Sequence, residues 1–134
     1  MTDWRLDITL LPERFAVCRM DPGTAPPAWA LKGAFTALVR TPEELCIVCP
    51  EKAAPSRVKK VTGWRALRLA GELDHTGESG VLLTVVEPLS RAGVPVFPVT
   101  SWNSGYVLVH EPHVEKALAT LKAWGHVLHE PAKP

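Results

Sequence analysis

From Trp64 onward the spacing of apolar residues changes period in a fixed order, and few folds accommodate that order. Val81, Leu82, Val85, Val86 and Leu89 recur at helical spacing between Gly80 and Ala92, with Gly93 placed to stop the helix. Pro88 lies inside this segment. Its ring opposes the Thr84 carbonyl and its missing N–H leaves that carbonyl without the usual partner, so a kink or a broken last turn is expected. A second helix opens at Pro112, carries Val114, Ala117, Leu118 and Leu121 on one face, and stops at Gly125. Between the helices, VPVFPVT and GYVLV are β-rich runs joined by Ser101, Trp102, Asn103 and Ser104, which predicts a hairpin. Trp64 to Leu69 and His126 to His129 supply strands on either side. The resulting order, β, α, β, β, α, β, predicts an α+β fold of the ferredoxin-like kind: one antiparallel sheet with both helices on a single face. Its second strand lies at an edge, which tolerates Pro95 and Pro98, although their odd spacing requires one of them to begin the strand or mark a bulge.

A shift of 61 residues lays Leu6 on Leu67, Ile8 on Leu69, Leu38 on Val99, Ile47 on Leu108 and Val48 on Val109. A first strand and a hairpin matching at one offset predict two similar halves, residues 1–62 and 63–134. The first half is the poorer in helix. Between Leu11 and Lys32 it offers a strand-like FAVCRM and then PGTAPPAWA, where three prolines permit only a short turn.

The 134 residues carry 15 Lys+Arg against 14 Asp+Glu, so no basic field gathers nucleic acid or anionic lipid. The longest apolar runs fall far short of the roughly 18–20 residues of a membrane span, and MTDWRLD precedes no sustained apolar segment, so a cytoplasmic chain without a leader is expected. Five tryptophans without interleaved positive charge read as core and interface anchors rather than base-stacking platforms. Three cysteines argue against a disulfide scaffold. Cys46 and Cys49 form a C-x-x-C, but in the strand CIVC an odd separation sends them to opposite faces, so they are expected to be small hydrophobes with no metal bound. The histidine pairs His110 with His113 and His126 with His129 read as surface or capping residues. No phosphate-binding glycine motif or catalytic signature is present, so no catalytic residue and no cofactor are expected.

The segment Leu73 to Gly80, LDHTGESG, is of another kind, since it joins a strand to a helix start and holds two glycines with Asp74, Thr76, Glu78 and Ser79. Free N–H groups there suit a carboxylate, and Asp74 or Glu78 an ammonium. The alternative is that Thr76 or Ser79 caps the helix and the glycines turn the chain.

The stretch AGVPVFPVTSWNSGYVLV resembles the regulatory ACT domains of aspartokinases, in which a Thr/Ser-rich turn separates the second and third strands. Upstream, LPERFAV, ELCIVCPE and GWRALR are similar to blocks of small bacterial tandem-ACT proteins, a group whose domains also resemble those of the arginine sensors of the TOR pathway. The resemblance implies tandem ferredoxin-like ACT domains, the N-terminal one with reduced helices, that pair side by side and bind an amino acid or other small ligand. By position it assigns Thr76, Gly77, Ser79, Gly80 and Val81 to the ligand, with Pro95, Val96 and Phe97 across the interface and Thr100 and Ser101 in the Thr/Ser turn. The aspartokinase pattern has an acid in its second strand where this chain is apolar near Phe97, so the ligand ammonium falls to Asp74 or Glu78. The implied protein is a homodimer without enzymatic activity that passes its signal to an unidentified protein target.

Overall fold

The computed structural model describes residues 5–70 and 81–131. Its elements in chain order are β1 (Asp7–Met20), β2 (Ala37–Arg40), β3 (Leu45–Pro50), β4 (Lys59–Leu69), α1 (Leu83–Arg91), β5 (Phe97–Thr100), β6 (Gly105–His110), α2 (Val114–Ala123) and β7 (Val127–His129). The chain divides into two compact units, one of residues 1–12 with 65–134, the other of residues 13–64. This differs from a division after residue 62, because Ile8 and Leu10 pack in the same core as the C-terminal helices. Both long strands, β1 and β4, run from one unit into the other, and FAVCRM is thus the continuation of the first strand rather than a separate one.

The larger unit has the strand order β7-β1-β4-β6-β5. In the plain βαββαβ arrangement the last strand would lie beside the first; here β1 stands between β4 and β7, and β7 pairs with β1 in parallel, Asp7 opposite Val127 and Thr9 opposite His129. The sheet is therefore mixed. The core of this unit is built from Ile8 and Leu10, Leu67 and Leu69, Val107 and Val109, each pair two residues apart on its strand, packed against Val85 and Leu89 of α1 and Ala117 and Leu121 of α2. Both helices thus cover one face, as the periodicity predicts. β5 is an edge strand; it begins at Phe97, which leaves Pro95 outside, so only Pro98 needs the edge.

Both helices end as their glycines predict. After α1, Gly93 adopts φ 78°, its N–H bonds the Ser90 carbonyl, and the Val94 N–H bonds that of Leu89 at 2.9 Å. After α2, Gly125 adopts φ 102°, its N–H bonds the Lys122 carbonyl, and the His126 N–H bonds that of Leu121 at 3.1 Å. Each pair of bonds is a Schellman closure, which needs the left-handed conformation glycine adopts without strain.

The smaller unit has strand order β2-β3-β1, antiparallel throughout, with Cys49 opposite Ala16, Ile47 opposite Cys18 and Leu45 opposite Met20. Its core holds Ala16, Cys18, Ala30, Leu45, Ile47 and Cys49. Where the other unit has α-helices this one has short 3-10 turns, Ala28–Leu31 and Glu51–Ala53, so the helix-poor reading of the N-terminal half holds. The 61-residue match aligns hairpin with hairpin but misses the side-chain register. It lays Ile47, which faces its core, on Leu108, which faces away from the side of Val107 and Val109. A one-residue slip exchanges the faces of a strand, and alternation alone does not reveal it.

Candidate functional site

Of the candidate ligand residues, Asp74, Thr76, Gly77, Ser79 and Gly80, with Glu78, lie outside the described residues; Val81, Val96, Phe97, Thr100 and Ser101 lie within them. Helix α1 begins at Leu83, three residues later than a start at Gly80 would put it. Val81 and Leu82 form a turn ahead of it: the Val81 carbonyl accepts the Thr84 N–H at 3.2 Å and the Thr84 hydroxyl at 2.7 Å, and the Leu82 carbonyl accepts the N–H groups of Val85 and Val86, both at 3.0 Å. These bonds satisfy donors that a helix start otherwise leaves free.

Val81 and Val96 pack half-buried against the same core cluster. Phe97 sits opposite Leu108 in the β5–β6 ladder, and Thr100 is exposed at the strand end opposite Gly105. Ser101 closes the hairpin, its N–H donating to the Ser104 carbonyl at 2.9 Å and its hydroxyl 2.5 Å from that of Ser104. Trp102 at the tip is 88% exposed.

The residue that ties α1 down is one of the histidines that reading by pattern assigned to surface or capping positions. His126 is 4% exposed. Its Nδ1 accepts the Leu6 N–H at 3.2 Å, and its Nε2 therefore carries the proton it donates to the Thr84 carbonyl at 2.9 Å. Thr84 is four residues before Pro88, so this carbonyl is the one proline deprives of a helical N–H. The histidine replaces the missing bond, and α1 runs through Pro88 to Arg91. The signals were in the sequence, an orphaned carbonyl at Thr84 and a histidine directly after the Gly125 closure, but nothing in one dimension connects positions 84 and 126. Arg65, in the GWRALR block, makes a similar tie: its guanidinium donates to the Leu11 carbonyl at 2.9 Å and stands 3.6 Å from Glu111, in the turn before α2.

The cysteines carry no activated thiol. Cys46 and Cys49 both lie in β3 and point to opposite faces: Cys49 is fully buried beside Cys18, whereas Cys46 is half-buried opposite Arg19 and Val39. Burial, then the neighbouring Cys49, push the Cys18 thiol up to about 12, against a weaker opposing effect of Lys60. Burial likewise raises Cys46, with Glu44 adding to it, and Cys49. A thiol that keeps its proton is a poor nucleophile and metal ligand. Among the described residues no group of three or more His, Cys, Asp or Glu is arranged to hold a metal, and no helix is long and apolar enough to cross a membrane. Iodoacetamide near pH 8 should accordingly leave Cys18 and Cys49 unmodified in the folded chain and label all three cysteines in denaturant, as read by mass spectrometry; rapid native labelling of Cys18 would contradict its burial. The raised thiols also set an alkaline limit. The unfolded Cys18 thiol ionises near 9.0, whereas the folded one holds its proton to about 12. Unfolding therefore releases a proton in that window, and stability should be level with respect to this group below 9 and fall as pH rises from there.

An ACT-domain family model matches residues 59–123, which include β4, α1, the β5–β6 hairpin and α2. A second model, describing an N-terminal domain, matches residues 13–57. The chain belongs to the ACT-domain family. Over 97% of its length it is similar, at 31% identity and a TM-score of 0.90, to the protein Atu0741 of Agobacterium tumefaciens, 96% of which is covered. VC0802 of Vibrio cholerae, described as of unknown function and a possible transport protein, has a similar fold (TM-score 0.71, 16% identity, 89% of each chain). So has the ligand-free regulatory subunit of aspartate kinase from Thermus thermophilus (TM-score 0.59, 12% identity, 84% of this chain and 93% of that one). Among curated proteins nothing matches.

Proposed function

We propose that this chain is a cytoplasmic, non-catalytic regulatory protein that binds a small molecule, an amino acid in the first instance, at residues 74–81. The observation that carries the reading is the ACT-domain match over residues 59–123, within which that segment falls. Fold relatives support it: one is a regulatory subunit of aspartate kinase, and another is an Escherichia coli aspartokinase III in complex with aspartate and ADP. Ligand binding would act by linkage, stabilising the fold by RT ln(1 + [L]/Kd). A thermal-shift screen of the free amino acids tests the reading directly; a chain whose melting none of them alters at millimolar concentration is not an amino-acid sensor.

The two halves are proposed to be degenerate tandem ACT repeats that pair in a homodimer. Support comes from apolar surface on edge elements: Val39 of β2 is 55% exposed, and Trp102, at the end of edge strand β5, is almost fully so. An unpaired strand edge with apolar surface beside it is a ready-made place for a second chain to pack. Sedimentation at micromolar concentration should find a species of twice the 14.6 kDa chain mass; a monomer alone would rule the dimer out. The second reading, a ligand-free interaction module, would stand if the dimer formed and no amino acid bound.

A further inference from the structure

We propose that the groove between the C-terminal end of α2 and β7 is a second ligand site, separate from residues 74–81, for a zwitterionic small molecule with an apolar side chain. The groove encloses about 480 Å³, within the range of small-molecule pockets. Leu118 and Ala119 of α2 and Val127 and Leu128 of β7 give it an apolar lining, and the oppositely charged Lys122 and Glu130 line it as well. Neither side chain is in an ion pair with the other or with another described residue.

The backbone adds a second donor and acceptor. The Val127 N–H bonds the carbonyl of Leu6, just ahead of β1, at 2.9 Å, and in a parallel ladder the peptide groups of alternate residues turn to opposite sides. The N–H and C=O of Leu128 therefore point to the outer edge of β7, where no described strand pairs. A free α-amino acid matches this set: its carboxylate accepts from Lys122 and the Leu128 N–H, its ammonium donates to Glu130 and the Leu128 carbonyl, and an aliphatic side chain lies on Leu118 and Leu128. His126 forms one wall of the groove, and with both ring nitrogens engaged it offers a fixed surface rather than a hydrogen bond.

Calorimetric titration of L-leucine into the full-length chain tests this, with Lys122→Met, Glu130→Gln and Ala119→Trp as groove variants and Gly80→Leu as the control for the loop. Lys122 and Glu130 are exposed, so their replacement leaves the core intact. Each charge variant should weaken leucine by about tenfold or more, the loss of one hydrogen bond between charged groups, and Ala119→Trp should abolish groove binding. Gly80→Leu should leave the groove event in place. The carboxylate 4-methylpentanoate, which has no ammonium, should be insensitive to Glu130→Gln. The proposal is overturned if leucine does not bind at millimolar concentration, or binds equally well to Lys122→Met and Glu130→Gln. Binding lost in Gly80→Leu alone would also overturn it while supporting the loop site.

Discussion

His126→Leu should destabilise the protein by about 2–4 kcal/mol, because it leaves two half-buried backbone groups, the Leu6 N–H and the Thr84 C=O, without their partner at roughly 1–2 kcal/mol each. That is a large share of the 5–15 kcal/mol that stabilises a typical domain. The cause can be isolated with Pro88. Pro88→Ala restores an N–H four residues after Thr84, so it can take over the carbonyl that His126 serves. In the wild-type background this change gains little and loses packing of the buried proline ring. In the His126→Leu background it should recover about 1–2 kcal/mol, visible as a coupling energy in the double-mutant cycle. Urea unfolding of the four proteins measures it. A cycle without coupling would mean that the histidine does not substitute for the helical bond, whatever the cost of the single variant.

Replacing Gly80 with leucine should abolish binding of an amino acid at the loop, since a side chain there fills the space through which a ligand approaches the backbone. Asp74→Ala is the finer probe. It should weaken an amino acid by roughly 1.5–3 kcal/mol, the usual contribution of a hydrogen bond to a charged group, and leave the corresponding carboxylic acid nearly unaffected. Calorimetry with an amino acid and its deaminated analogue on both variants separates the ammonium contact from the carboxylate contact. If Gly80→Leu binds as tightly as the wild type, the loop is not the site. If only Asp74→Ala is silent, Glu78 is the carboxylate to replace next.

What could be read from the chain alone is what repeats along it or is punctuated by a special residue. Helical spacing from Val81 to Leu89 and from Val114 to Leu121 gave both helices, and Gly93 and Gly125 placed their ends, because a left-handed closure is a local requirement with one favoured residue. Alternation and a polar turn placed the β5–β6 hairpin, and odd spacing in a strand separated Cys46 from Cys49. The family was legible as well, through LPERFAV, ELCIVCPE and GWRALR.

Tertiary structure decided everything that depends on two distant positions. Nothing local says that β1 intervenes between β4 and β7, since strand order depends on pairing between residues far apart in the chain. Period-two patterns tolerate a slip, so the 61-residue match paired Ile47 with Leu108 although they face opposite ways relative to their cores. The proline in α1 announced an orphaned carbonyl at Thr84, but its partner lies 42 residues away, and a lone histidine has no periodicity to betray its burial. Lys122 and Glu130 likewise come to line one groove only once α2 and β7 pack. Hydrogen-bond satisfaction is a condition on the folded molecule as a whole, so the residues that meet it, His126 above all, become visible only there.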